Sequence, residues 1–384
     1  MKIPSEFNEI RPYEPEELQG VYDRLFADPM FHNVLDILFE GISHDELEKK
    51  IRLCKSSYEY EVRLVYPLLK NILAKNSKGV VVHSEIDLEK RYTFISNHRD
   101  IILDSALLDV VLVDAGCSTT AEVAIGDNLL IYPWVENIVR LSKAFIVKRN
   151  LAPREFLASS KIMSDYMHFA INQKHENIWI AQREGRAKDS NDLTQPSILK
   201  MMCMGGEGTL KERLTDLHLC PTAISYEYDP CDYLKAKEFQ LKRDDAEYKK
   251  TRQDDAVNMK TGMFGYKGHV NYHFSKCIDE WVKQLPDTMP KADFFNTVAA
   301  HIDSEIHRNY RIYSCNYIAS DLLDKSQEFA DKYTLEEKEN FLKYINGQIA
   351  KIDLPNPDVP FLTERILTMY VNPLRNHLKA LNLQ

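Results

Sequence analysis

The chain contains no apolar run of eighteen or more residues, so no segment is written to span a bilayer. Its first residues, Met-Lys-Ile-Pro-Ser-Glu-Phe, hold no apolar stretch of the kind that marks a secretory leader. The seven cysteines (54, 117, 203, 220, 231, 277 and 315) include no Cys-x-x-Cys pair. That dispersal argues against a disulfide framework and against a cysteine-based metal site, and it suits reduced thiols in a cytosol. Positive charge is also short: 49 Lys+Arg against 58 Asp+Glu give −9. The whole chain is therefore no nucleic-acid binder, and an anionic ligand has to be met by a local basic patch. There is no Gly-x-Ser-x-Gly elbow for a serine hydrolase, no internal repeat and no low-complexity tract.

The remaining composition is that of an ordinary soluble globular chain, long enough for two domains or one large decorated one. Residues 14–78 show apolar positions at helical spacing. From Val80 the pattern changes. Short β-branched and aromatic runs at 80–82, 92–96, 144–147, 177–181, 221–226 and 268–274 read as strands, the first two as buried ones. Helical stretches separate them at 105–113, 153–172 and 193–204. Strands alternating with helices predict an α/β domain over 80–285 with a largely parallel central sheet. Helical segments are expected on either side, at 1–79 and 286–384. Pro221 is expected to confine its strand to a sheet edge or to stand first in it. The charged stretch 233–260 reads as a solvated helix or excursion.

Three strand ends break into polar clusters. The first is Phe94-Ile95-Ser96-Asn97-His98-Arg99-Asp100, followed by Asp104 inside an apolar helical segment. Histidine, with an ordinary pKa of about 6.5, suits proton transfer near neutrality. Asp100 is placed to cap the following helix. Asp104 then lies about one turn in, with its side chain leaning back toward His98. His98 is thus the candidate base and Asp104 its orienting carboxylate. The second cluster is Lys143, Lys148, Arg149 and Arg154 around the strand 144–147, cations suited to a phosphate. The third is Arg183-Glu184-Gly185-Arg186-Ala187-Lys188, where glycine permits close backbone approach beside three cations and one carboxylate.

Taken in order, Asn97-His98-Arg99 with Asp104, then Phe145-Ile146-Val147-Lys148-Arg149, then Glu184-Gly185-Arg186, then Pro221-Thr222-Ala223-Ile224-Ser225-Tyr226-Glu227 resembles the glycerolipid acyltransferase family, in a divergent branch. The resemblance covers roughly residues 80 to 275. The family's first block has four residues between His and Asp, where this chain has five. Its third block usually carries a Gly or Thr before the Arg, which is missing here.

The resemblance implies transfer of a fatty acyl group from a coenzyme A or acyl-carrier-protein thioester to a hydroxyl of a glycerolipid precursor, of glycerol-3-phosphate or lysophosphatidate type. His98 would be the general base and Asp104 its partner. Arg99, Lys148, Arg149, Arg183, Glu184, Gly185, Arg186 and Lys188 would hold the acceptor head group. It implies no permanently bound cofactor and no metal. It also implies a cytoplasmic protein peripheral on the inner face of a membrane, with the run Leu129–Val135 and its Tyr132 and Trp134 facing the lipid interface. The alternatives are acyl transfer to an amine or hydroxyl in aminoacyl lipids, and an inactive lipid- or carrier-binding module.

Overall fold

A computed structural model describes residues 3–149 and 151–382. It is an α/β fold built on a seven-stranded, mostly parallel sheet flanked by helices. The strands are β1 (Val80–Ser84), β2 (Thr93–Ser96), β3 (Ala121–Gly126), β4 (Ala144–Val147), β5 (Asn177–Ala181), β6 (Leu219–Tyr226) and β7 (Val270–Phe274), in the order β1-β7-β6-β2-β5-β3-β4. Among these pairs only β6 and β7 run antiparallel.

The side-chain period of two sorts each strand between two cores. Ile95, Ile178 and Ile180 face a layer made by helices Pro153–Phe169, Pro196–Met202 and Lys291–Arg308. Phe94 and Trp179 face the other layer, with helices Tyr66–Asn76 and Leu103–Asp114. Phe7 and Ile10 from the first residues share the Ile95 layer. A third apolar cluster lies within the C-terminal helices from Ser314 onward. No helix among the described residues is long and apolar enough to cross a membrane.

Four local expectations are corrected. First, β1 is not buried. It lies at the sheet edge, where Val81 and Val82, which point to opposite faces, are both exposed. Second, β3 gave no strand signal, since Glu122 interrupts its apolar run. Glu122 is nevertheless buried, with Lys174 and the Tyr166 hydroxyl each donating to it at 2.6 Å.

Third, Pro221 sits inside β6, which is an interior strand. Its carbonyl accepts from Ser275 N–H at 3.0 Å on the β7 side. The amide it lacks would face that same side, beyond the last residue pair, Thr222 with Phe274. The reciprocal bond to Ser275 O is therefore absent, and that carbonyl accepts from the Cys220 thiol at 3.2 Å instead. Fourth, the charged stretch after β6 forms helices Asp232–Asp244 and Arg252–Phe264, and it is not simply solvated. Asp232, Lys235 and Glu238 are buried against the C-terminal helices and the sheet's carboxyl rim.

Candidate active site

The loop between β2 and helix Leu103–Asp114 carries His98 past the carboxyl end of a central strand, where ligands of open α/β sheets collect. Two carboxylates build this loop. Asp100 Oδ1 accepts from the N–H groups of Ile102 and Leu103 at 2.9 and 2.8 Å, which starts the helix. Asp104, fully buried, sends Oδ2 back over the turn. That oxygen meets His98 Nδ1 at 2.8 Å and accepts from the backbone N–H groups of Arg99 at 2.5 Å and Asp100 at 3.0 Å. Its other oxygen, Oδ1, accepts from the Tyr226 hydroxyl at 2.9 Å. The five intervening residues close the turn because their own amides grip the carboxylate. Burial, and then the charge of Asp104, push the Asp100 carboxyl up.

A donated Nδ1–H leaves His98 Nε2 as the acceptor. Among the described residues Nε2 has no hydrogen-bond partner. The ring packs edge-on against Trp179, centroids 5.4 Å apart, and Trp179 donates to Ser96 Oγ at 3.0 Å. The His98 side chain is 16% exposed, opening into a cavity of about 270 Å³. Its lining includes the apolar Ile101, Val123, Ile125, Leu129 and Trp179. It also includes the cations Arg149, Arg183, Arg186, Lys188 and Lys250, with the single carboxylate of Asp255.

The cationic lining is only partly neutralised. Arg149 faces Glu184 at 3.4 Å, and Lys188 contacts Glu238. Among the described residues Arg186 has a single long hydrogen bond, 3.4 Å, to Asn258. Burial and the neighbouring charges of Lys242, Lys250 and Arg186 push the Lys188 ammonium down to about 7. Gly185 takes φ +67°, the left-handed backbone that lets the chain turn between Glu184 and Arg186. Gly126 does different work. A Cβ there would lie 2.6 Å from Arg149 Nε, so the missing side chain is what lets Arg149 cross the end of β3 into the cavity.

Of the expected site residues, the structure brings His98, Arg149, Arg183, Gly185, Arg186 and Lys188 to this cavity, with Asp104 behind His98 and Glu184 beside Arg149. It does not bring Arg99 or Lys148 there. The Arg99 guanidinium turns inward, donating to Asp192 at 3.3 Å and to Ser190, with Asp229 at 3.8 Å. Burial opposes its charge, but Asp192 and Asp229 hold it above its usual value. Lys148 reaches out to Glu9. Lys143, also in the second cluster, lies at the opposite end of β4, 2.8 Å from Glu176.

Residues the sequence did not single out complete the site. Gly126 and Asn128 end the strand that Glu122 disguised. Lys250 and Asp255 arrive from the excursion after β6. Tyr226 supports Asp104 from a strand read mainly as core. The interface expected at Leu129–Val135 is mixed: Tyr132 is 41% exposed, while Trp134 is half-buried and packs against the N-terminal helices.

The chain matches no protein-family model. It matches no curated protein. Among solved structures it is similar to the 1-acyl-sn-glycerophosphate (LPA) acyltransferase PlsC from Thermotoga maritima, at 12% identity over 75% of this chain and 95% of that one, with a TM-score of 0.31. At that TM-score the likeness carries no functional inference.

Proposed function

We propose that the chain is an acyltransferase moving a fatty acyl group from a thioester to a hydroxyl of a phosphate-bearing glycerolipid precursor. One observation carries the reading: the His98–Asp104 pair opens into a cavity lined by both apolar side chains and cations. An acyl chain suits the apolar lining and an anionic head group the cations, which would bring a thioester carbonyl and an acceptor hydroxyl to the imidazole.

In the proposed step His98 Nε2 takes the hydroxyl proton as the acceptor oxygen attacks the thioester carbon. The C–O bond forms, the C–S bond breaks, and the departing thiolate recovers the proton from the imidazolium. Asp104 stabilises the imidazolium that forms in this step. Arg149, Arg183, Arg186 and Lys188 hold the acceptor anion, making the encounter an oriented one. No protein nucleophile is needed. The donor would be acyl-CoA or an acyl carrier protein, and the surface of contact a lipid bilayer, met at Leu129–Tyr132.

The test incubates the purified protein with labelled acyl-CoA or acyl carrier protein, offering glycerol-3-phosphate, lysophosphatidate, lysolipids and N-acyl amino acids both free and in liposomes. Products are identified by mass. A phosphate-bearing acylated product that disappears in His98→Ala supports the reading. No product from the wild type, or equal turnover by His98→Ala, removes it.

A further inference from the structure

The rim of the sheet opposite His98 carries a second cluster. His218 directly precedes β6, and β6 runs parallel to β2 with Leu219 beside Thr93. His218 is thus at the amino end of the strands, whereas His98 follows the carboxyl end. Antiparallel β7 returns to this rim and delivers Cys277 and Asp279 just beyond its last residue. Ladder bonds fix the approach: Ser275 N–H donates to Pro221 O, and Ile278 N–H to Leu219 O, both at 3.0 Å.

A His218 nitrogen, the Cys277 sulfur and an Asp279 oxygen all lie within 4.8 Å of one another. Asp279 Oδ2 meets His218 Nδ1 at 2.6 Å. Asp279 Oδ1 is buried and has no hydrogen-bond partner among the described residues. An orphaned carboxylate oxygen is costly, and a cation would satisfy it. Six of the seven cysteines are buried, and Cys277 is the one that is not. The neighbouring charges are already matched: Lys283 donates to Glu280 at 2.6 Å, and Asp216 faces His168 at 3.1 Å.

We infer that His218, Cys277 and Asp279 form a zinc site that staples the turn before β6 to the loop after β7. Thiolate, imidazole and carboxylate are the donor set Zn²⁺ accepts in tetrahedral geometry, and a thiolate disfavours Mg²⁺ or Ca²⁺. Thiolate plus carboxylate balance a divalent cation in formal charge. Three protein ligands leave one position for water. The Cys277 thiol loses its proton on binding, so affinity rises with pH. Sequence spacing hid the site, since His218 and Asp279 are 61 positions apart. It is independent of the acyl-transfer reading.

The test uses the full chain stripped with a chelator and titrated with Zn²⁺ against a chromogenic competitor. Wild-type protein is expected to bind one equivalent, and Co²⁺ to give a thiolate-to-cobalt charge-transfer band. Cys277→Ser and Asp279→Asn should each weaken binding by roughly tenfold or more. Zn²⁺ should also slow thiol labelling of Cys277 in the native protein. Absence of saturable binding by the wild type overturns the site, as does undiminished affinity in a folded Asp279→Asn variant.

Discussion

Replacing Asp104 by Asn separates the charge of this residue from its hydrogen bonding. The oxygen that faces His98 is pinned by the amides of Arg99 and Asp100. In the variant the carbonyl oxygen therefore takes that place, and the new NH₂ faces the Tyr226 hydroxyl, which can turn to accept it. The imidazole keeps its tautomer and loses only the negative charge beside it. For opposite charges near 4 Å at an effective dielectric of 20, that loss is about 4 kcal/mol in a state where the imidazolium has formed. Partial charge development lowers this to about 3 to 4 kcal/mol, or two to three decades in kcat. The interaction lost is one made as the imidazolium forms in the reaction, so KM and the melting temperature should stay near wild type. The assay is release of free thiol from an acyl thioester under saturating acceptor, alongside thermal unfolding. A folded Asp104→Asn variant retaining kcat within about threefold of wild type would refute the reasoning.

Gly126→Ala should push Arg149 out of the cavity, raising KM for the anionic acceptor about tenfold with kcat less affected, as initial-rate kinetics at varied acceptor would show. Lys188, with its ammonium pushed down to about 7, is charged below that pH and neutral above it. Acceptor affinity should therefore fall as pH rises through 7, and Lys188→Met should flatten that slope in equilibrium binding measurements. Burial, and then the charge of Asp229, push the Asp232 carboxyl from 3.8 to about 7. A carboxyl raised on folding contributes stability that is full below its unfolded value and is lost as pH climbs through the folded one. Urea midpoints measured from pH 4 to 8 should decline less steeply in Asp232→Asn than in the wild type.

The alternation of short strands and helices made the sheet legible, because a parallel sheet buried on both faces writes continuous apolar runs such as Phe94-Ile95 and Ile178-Trp179-Ile180. Strand β3 was not legible, since the ion pair that makes Glu122 tolerable in a core comes from Lys174, far along the chain. Nor was the edge position of β1, because Val80-Val81-Val82 looks the same whether or not a helix covers it. At the site, strand ends marked most of the cavity. They did not distinguish an arginine facing the cavity from Arg99, whose partners Asp192 and Asp229 are set by tertiary structure. The cations and carboxylates of the excursion after β6 carried no mark, since a charged helix reads as a solvated one until its neighbours are known.

That excursion leaves the sheet after Tyr226 and returns at Val270, residues that sit side by side in the antiparallel β6–β7 pair. Everything between them departs from and rejoins the same rim. Loop-closure entropy grows only slowly with length, so such a detour can lengthen, shorten or be exchanged without altering a single strand register. The part of the cavity wall that holds Lys250 and Asp255 is therefore the part most free to vary. Under the proposed function, a lineage could change the acceptor it receives there while the His98 loop, gripped by its own amides, stays as it is.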